Sequence, residues 1–336
     1  MEIAPGVEII QTSFWGRPLN LTLFLGDRAL LIDTGMPGMP ADVIIPALNS
    51  RGLSARDLSQ VLITHAHLDH FAGNEEIWEA SGRQVSFAAH RLDVPWLEDP
   101  ATETRKAYGH NVELGLMAAA DLDGFIAASG KGVKIDRPLE GGEVFDLGQD
   151  LTLEAVFTPG HSLGNTCYLD RKHRLLVHGE TVVGVAQFDV EGKLLSVPFY
   201  YDAATYLRTL ATVARLDFDT LVSAHLSVMD RQAANQFLAD SLDFVVRFDR
   251  EVRGRLQEAR PGSTLVEVWR SMDRMWGLYP ADVGLYWLLE THTTGLIGQG
   301  MVTGTLAEGL TWVGPDRDYL APLVEEARAA IAARAT

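Results

Sequence analysis

Between Val61 and Gly73 the chain reads VLITHAHLDHFAG, which sets His65, His67, Asp69 and His70 within six positions. Imidazole nitrogens and carboxylate oxygens together suit zinc, iron or manganese, whereas calcium prefers an all-oxygen shell. If the apolar run before the cluster is a strand ending near Thr64, its period of two puts His65 and His67 on one side of the extended chain. Both can then reach the same cation. Asp69 and His70, one turn further on, can hold a second. Taken alone, the cluster also has an ordinary reading as loop histidines satisfied by local hydrogen bonds, so ligands elsewhere must carry the decision.

Further ligands follow in order, each after a β-rich run. FTPGHSLGN places His161 in a Gly-rich turn, LLVHGET ends a run at Glu180, and LVSAHLS presents His225. Three such residues at equivalent strand ends make a convergent two-metal site the economical explanation.

A frame of strands must position them. GVEIIQTSF, NLTLFLG and ALLIDTG read as short strands joined by tight turns, and a helix is expected from about Pro40 to Arg51. QVLIT reads as a buried strand, residues 74 to 80 as a helix and QVSFAAH as a strand. Residues 91–135 form a long mixed segment with helical stretches, which favours a lid or pocket wall over bare loop. EVFDLG, LTLEAVFTP, NTCYLD and RLLVHG supply four more strands, AATYLRTLATVARL a helix, and TLVSA the strand before His225. Beyond it, amphipathic helices broken by RPGS and closed by MVTGTLAEGLTWV run helix, helix, helix, hairpin, the order of a winged-helix-like module. The expected division is a catalytic body over 1–230 and this extension over 231–336, with VWRSMDRMWGLYP in the extension's core.

Composition bounds the function. The 336 residues are 47% hydrophobic and 22% charged, ordinary values for a globular chain. A formal net charge of −17 repels phosphate backbones and disfavours nucleic-acid binding. The single cysteine, Cys167, cannot form an internal disulfide, and no segment approaches the ~20 apolar residues of a membrane span. These features fit a cytoplasmic protein without a membrane partner. No G-x-S-x-G elbow supports a serine hydrolase.

Through LLIDTG, THAHLDHFAG, TPGHSLGNT, LLVHGET and LVSAHLS, in that order, the chain resembles the metallo-β-lactamase superfamily over about residues 5–230. The resemblance implies an α/β fold, a four-layer αββα sandwich with the metal site at one edge of two facing sheets. It implies one metal on His65, His67 and His161 and another on Asp69, His70 and His225. Relatives with two metals carry a bridging aspartate where this chain has Glu180, whose extra methylene changes the reach of the carboxylate. Asp33, in LLIDTG, matches a position that supports the site from behind the ligands.

Two divalent ions, zinc before iron or manganese, would generate hydroxide near neutral pH to attack a polarised carbonyl. Asp69 would also orient that nucleophile and handle its proton, and Tyr200 or Tyr201 in SVPFYYDAATYL could donate to the developing oxyanion. Body and tail together look like the lactamase-beta-like group, whose relatives include acyl-thioester hydrolases and ribonucleases. Esters, thioesters and lactones of small acyl molecules rank first as substrates, and the acidic charge argues against the ribonuclease branch. The alternative class is a mono-iron oxidoreductase like the persulfide dioxygenases. The extension can either cover the pocket or form a homodimer interface.

Overall fold

A computed structural model describes residues 1–272, 274, 275, 278–280 and 282–335. Of the stretch VWRSMDRMWGLYP, Asp273, Trp276 and Gly277 lie outside the described residues. Two compact units form, one from Met1–Thr158, Ser162–Thr181 and Asp217–Arg231, the other from Pro159–His161, Val182–Leu216 and Gln232–Thr336.

The first unit holds two sheets. Seven strands run in sequence order: β1 (Glu2–Ala4), β2 (Val7–Phe14), β3 (Arg17–Leu25), β4 (Ala29–Ile32), β5 (Leu58–Leu62), β6 (Ser86–His90) and β7 (Arg137–Leu139). Pairing is antiparallel from β1 to β4 and parallel from β4 to β7. The second sheet contains β8 (Val144–Asp146), β9 (Thr152–Phe157), β10 (Thr166–Asp170), β11 (Leu175–Gly179) and the strand Thr220–Ser223, which lies parallel beside β11.

Apolar runs such as ALLI and VLI make sense because these strands are buried on both faces. Along β4, Leu30 and Ile32 face the second sheet, where they meet Leu153, Tyr168 and Val177. Ala29 and Leu31 face the other way, onto a core with Ile44, Leu48, Phe71 and Ile77. Burying each large aliphatic side chain contributes about 1.5–3 kcal/mol, so a one-residue slip in register would be costly. Helices α1 (Ile45–Asn49), α2 (Leu68–Phe71), α3 (Asn74–Ala80), α4 (Val94–Glu98), α5 (Pro100–Glu113) and α6 (Ala119–Ala128) complete this unit, the last three within the 91–135 segment. Within the unit the order is therefore helices, sheet, sheet.

The second unit contains α7 (Ala203–Arg215), α8 (Arg231–Glu258), α9 (Leu265–Arg270), α10 (Val283–Gly298) and α11 (Ala321–Arg334). Helices α8 to α10 are followed by the hairpin Val302–Thr305/Gly309–Trp312. Helix α11 is an addition to that pattern. It packs against α7, with Arg215 paired to Glu326 at 2.9 Å and Arg334 Nη1 donating to Leu216 O at 2.7 Å. This packing ties residues 182–216 to the C-terminal helices. Among the described residues no helix is long and apolar enough to cross a membrane.

Candidate metal centre

Each candidate ligand follows closely on a strand: His65 after β5, His161 after β9, Glu180 after β11 and His225 after Thr220–Ser223. Carboxyl ends of parallel strands are where α/β sheets place binding loops. After β5 the chain is pinned by Asp33, which accepts from Thr64 N and Thr64 Oγ1, both at 2.8 Å. Asp33 itself has a φ of 61°, a left-handed conformation that aspartate tolerates better than most residues. Helix α2 then starts at Leu68, which puts Asp69 and His70 in its first turn. Ala66 N donates to Asp93 Oδ2 at 3.0 Å and Gly164 N donates to Asp93 Oδ1 at 2.9 Å. A single buried carboxylate thereby fixes two site loops. Gly179, before Glu180, has φ 56°, and a Cβ there would lie 2.7 Å from Thr64 Oγ1. The turn that presents Glu180 therefore requires glycine.

Two groups of potential ligands result. His65, His67, His161 and Glu180 form one and Asp69, His70, Glu180 and His225 the other, with the ligand atoms of each group within 4.8 Å of one another. Glu180 is common to both: its Oε2 lies 3.7 Å from His65 Nε2, 3.7 Å from His70 Nε2 and 3.4 Å from His225 Nε2. Its other oxygen is 3.6 Å from Arg17 Nη2.

The far ring nitrogens are held from behind. His70 Nδ1 bonds Asp33 Oδ2 at 2.8 Å, His225 Nδ1 bonds Pro18 O at 2.7 Å, and His161 Nδ1 bonds Phe199 O at 2.8 Å. Each of these partners accepts, so each Nδ1 carries a proton and Nε2 is the nitrogen turned inward, the arrangement that orients metal-binding histidines.

A cation fits the donor set. Asp69 Oδ2, His70 Nε2 and His225 Nε2 are buried without a hydrogen-bond partner, although the carboxylate oxygen is 3.5 Å from the first nitrogen and 3.3 Å from the second. Buried polar atoms left this way are expensive unless something positive lies between them. In the metal-free protein that charge is protonic. Burial opposes the charge on His225, but Glu180 and Asp69 raise its pKa to about 9. For His70, burial is likewise outweighed by Asp69 and Asp33, and the shift is well upward. Asp69 is pushed up by burial yet held well below the carboxylate range by His70 and His225.

Of the two adjacent tyrosines, Tyr200 is corrected to a packing residue. It is fully buried, stacks on Tyr206 with centroids 4.4 Å apart, and its hydroxyl bonds His292 Nε2 at 2.9 Å, which leaves no face for a substrate. Tyr201 is half-buried, with its backbone N–H donating to Gly160 O at 2.8 Å. Arg17 and Asp93 carried no motif in the sequence. Neither the pairing of Asp93 with residues 66 and 164 nor that of Arg17 with Glu180 has a short-range signal.

The family model of the metallo-beta-lactamase superfamily matches residues 16–225, more than half of the chain. An atrochrysone carboxyl ACP thioesterase of Aspergillus fumigatus is 25% identical over 77% of this chain and 68% of its own length. An acyl-coenzyme A thioesterase of Gallus gallus is 28% identical over 56% of this chain and 66% of its own. The chain spans 65%, 52% and 64% of the length of three lactamase-like proteins from Aspergillus and Penicillium. A solved metallo-beta-lactamase family protein from Thermus thermophilus has the same fold, with a TM-score of 0.70 and 16% identity over 93% of this chain and all of that one.

Proposed function

From the chain's membership of the metallo-beta-lactamase superfamily, we propose that it is a metal-dependent hydrolase of acyl substrates, with thioesters ahead of esters and lactones. The observation that carries the reading is the convergence of the buried atoms Asp69 Oδ2, His70 Nε2 and His225 Nε2, each without a hydrogen-bond partner, beside Glu180. The thioesterase names of the two relatives support the order of substrates.

His65, His67 and His161 would hold one divalent ion, and Asp69, His70 and His225 the other. Glu180, with Oε2 within 3.7 Å of nitrogens from both groups, would bridge them. Bound there, the ions supply Lewis acidity and bring the pKa of a water towards neutrality. The protein's own part is to orient and to move protons. Asp33, Pro18 and Phe199 fix the ring orientations through Nδ1. Asp69 would accept the proton of the attacking water and return it to the leaving group. Arg17 sets a cation against Glu180 from the outer side. Tyr201 is assigned the donor position for the anionic oxygen.

Metal analysis by plasma mass spectrometry, followed by a panel of acyl-coenzyme A thioesters, aryl esters and lactones, tests the reading. About two zinc or manganese ions per chain, with thioester turnover abolished by chelation and restored by metal, is the expected result. A chain that takes up no metal after reconstitution overturns it. One iron per chain with oxygen consumed on a persulfide replaces it with the oxidoreductase class.

A further inference from the structure

His161 is oriented by residues 199–201. Its Nδ1–H donates to Phe199 O at 2.8 Å, and Tyr201 N–H donates to Gly160 O at 2.8 Å, so this segment grips the 160–161 turn at two points. The segment is gripped in turn by the C-terminal helices. From α10, Thr291 Oγ1 donates to Tyr200 O at 3.0 Å, and His292 Nε2 meets the Tyr200 hydroxyl at 2.9 Å. From α8, Asp249 Oδ1 lies 3.0 Å from His292 Nδ1 while its Oδ2 pairs with Arg253 Nε at 3.0 Å. Arg253 Nη1 continues to Asp316 Oδ1 at 2.6 Å.

The Asp249 carboxylate, which also pairs with Arg253, accepts from His292 Nδ1, and a neutral His292 then presents the Nε2 lone pair to the Tyr200 O–H. Tyr200 and His292 are fully buried and Asp249 is 2% exposed. Apolar side chains of similar volume would fill such a place at no desolvation cost, whereas a buried carboxylate and imidazole must be fully partnered to be tolerated. A polar chain in this position gives what apolar packing does not, a single rotamer for Tyr200 and a single orientation for the peptide planes around it. Those planes carry the carbonyl that holds His161.

We propose that Tyr200, His292 and Asp249 form a positioning chain that sets the ring of the metal ligand His161, so that the C-terminal helices act on that ligand through residues 199–201. The inference rests on the reading of His161 as a ligand. Asp249 and His292 are positioning residues and touch neither metal nor substrate.

The test uses the full chain with Co(II) as probe, titrated by chelator competition and followed by its visible absorption. Tyr200→Phe removes one hydroxyl and keeps the ring stacked on Tyr206, and Thr291→Val removes the donor to Tyr200 O. Val324→Ala, in α11 of the same unit, is the control for general loosening. Both test variants should lower the affinity of one cobalt equivalent about tenfold, the low end for partners outside the ligand shell. They should alter the bands of that equivalent and leave the other unchanged. Val324→Ala should lower the thermal midpoint and leave both equivalents as in the wild type. If Tyr200→Phe does not fold, Thr291→Val carries the comparison. Variants that bind both equivalents as a cobalt-binding wild type does overturn the positioning role alone, as does an equal loss of affinity in Val324→Ala. A wild-type chain that takes up no cobalt overturns the ligand reading beneath it.

Discussion

Replacing Asp33 by asparagine isolates the support behind His70 with little change of shape. The carboxylate accepts three bonds, from Thr64 N, Thr64 Oγ1 and His70 Nδ1, each at 2.8 Å. An asparagine oxygen still serves Thr64 N, but its NH2 then faces the Thr64 hydroxyl and the His70 Nδ1–H. The hydroxyl can rotate and accept. The imidazole cannot: with a cation on Nε2 its proton stays on Nδ1 and faces the NH2. Metal binding thereby loses its support behind His70, which typically costs 10–100-fold in affinity, about 1.4–2.7 kcal/mol. Folding stability should also fall by about 1.5–3 kcal/mol through the lost charge-assisted bond. Asparagine accepts the positive φ of residue 33, so the backbone does not confound the result. Zinc affinity by chelator competition at neutral pH, with chemical denaturation of the metal-free protein, reads both numbers. A folded variant with wild-type affinity would refute the tautomer argument.

Shortening Glu180 to aspartate should withdraw Oε2 from nitrogens now 3.4 to 3.7 Å away, and metal analysis should show fewer than two ions per chain while Glu180→Gln loses more. With the His225 pKa raised to about 9 in the metal-free protein and that of His70 raised well above its ordinary value, zinc binding at pH 7 should release about two protons. Calorimetry in buffers of different ionisation enthalpy counts them, and affinity should climb with pH through about 9. Because the folded pKa of His225 is raised, its contribution to metal-free stability is complete below its ordinary value of 6.5 and is lost as pH rises through about 9, which denaturation of the apoprotein would show. Burial pushes the Cys167 thiol up to about 11, so a thiol reagent at pH 8 should label only unfolded protein. Asp93→Ala strands the N–H groups of Ala66 and Gly164 and should cost about 2 kcal/mol or more in urea denaturation.

What could be read from the sequence was local. The ligands lie in short contiguous motifs next to apolar runs, and a run such as VLIT is legible because a doubly buried strand must be continuously apolar. The supports of those ligands were not legible in the same way. Asp93 reaches residues 66 and 164, and Arg17 reaches Glu180, across separations at which one chain leaves no periodic trace. Residues 182–216 carry no local sign that α7 will join α11. The adjacent tyrosines raised a catalytic expectation because a phenol is a good donor. Tyr200 has instead given its hydroxyl to His292, a residue without ligand-like spacing.

The metal-free charge pattern bears on how the centre is built. Protons on His70 and His225 take up the negative field of Asp69, Glu180 and Asp33, so the ligands can converge before any ion arrives. Their far nitrogens are tied to Asp33 and to the carbonyl of Pro18, and these bonds do not depend on the cation. Metal uptake at such a site is an exchange of protons for a cation on a preformed set of donors, unlike the small zinc domains in which binding supplies the folding free energy. It follows that chelation should remove activity while leaving the two sheets folded, and that occupancy should depend on the pH at which the protein is loaded.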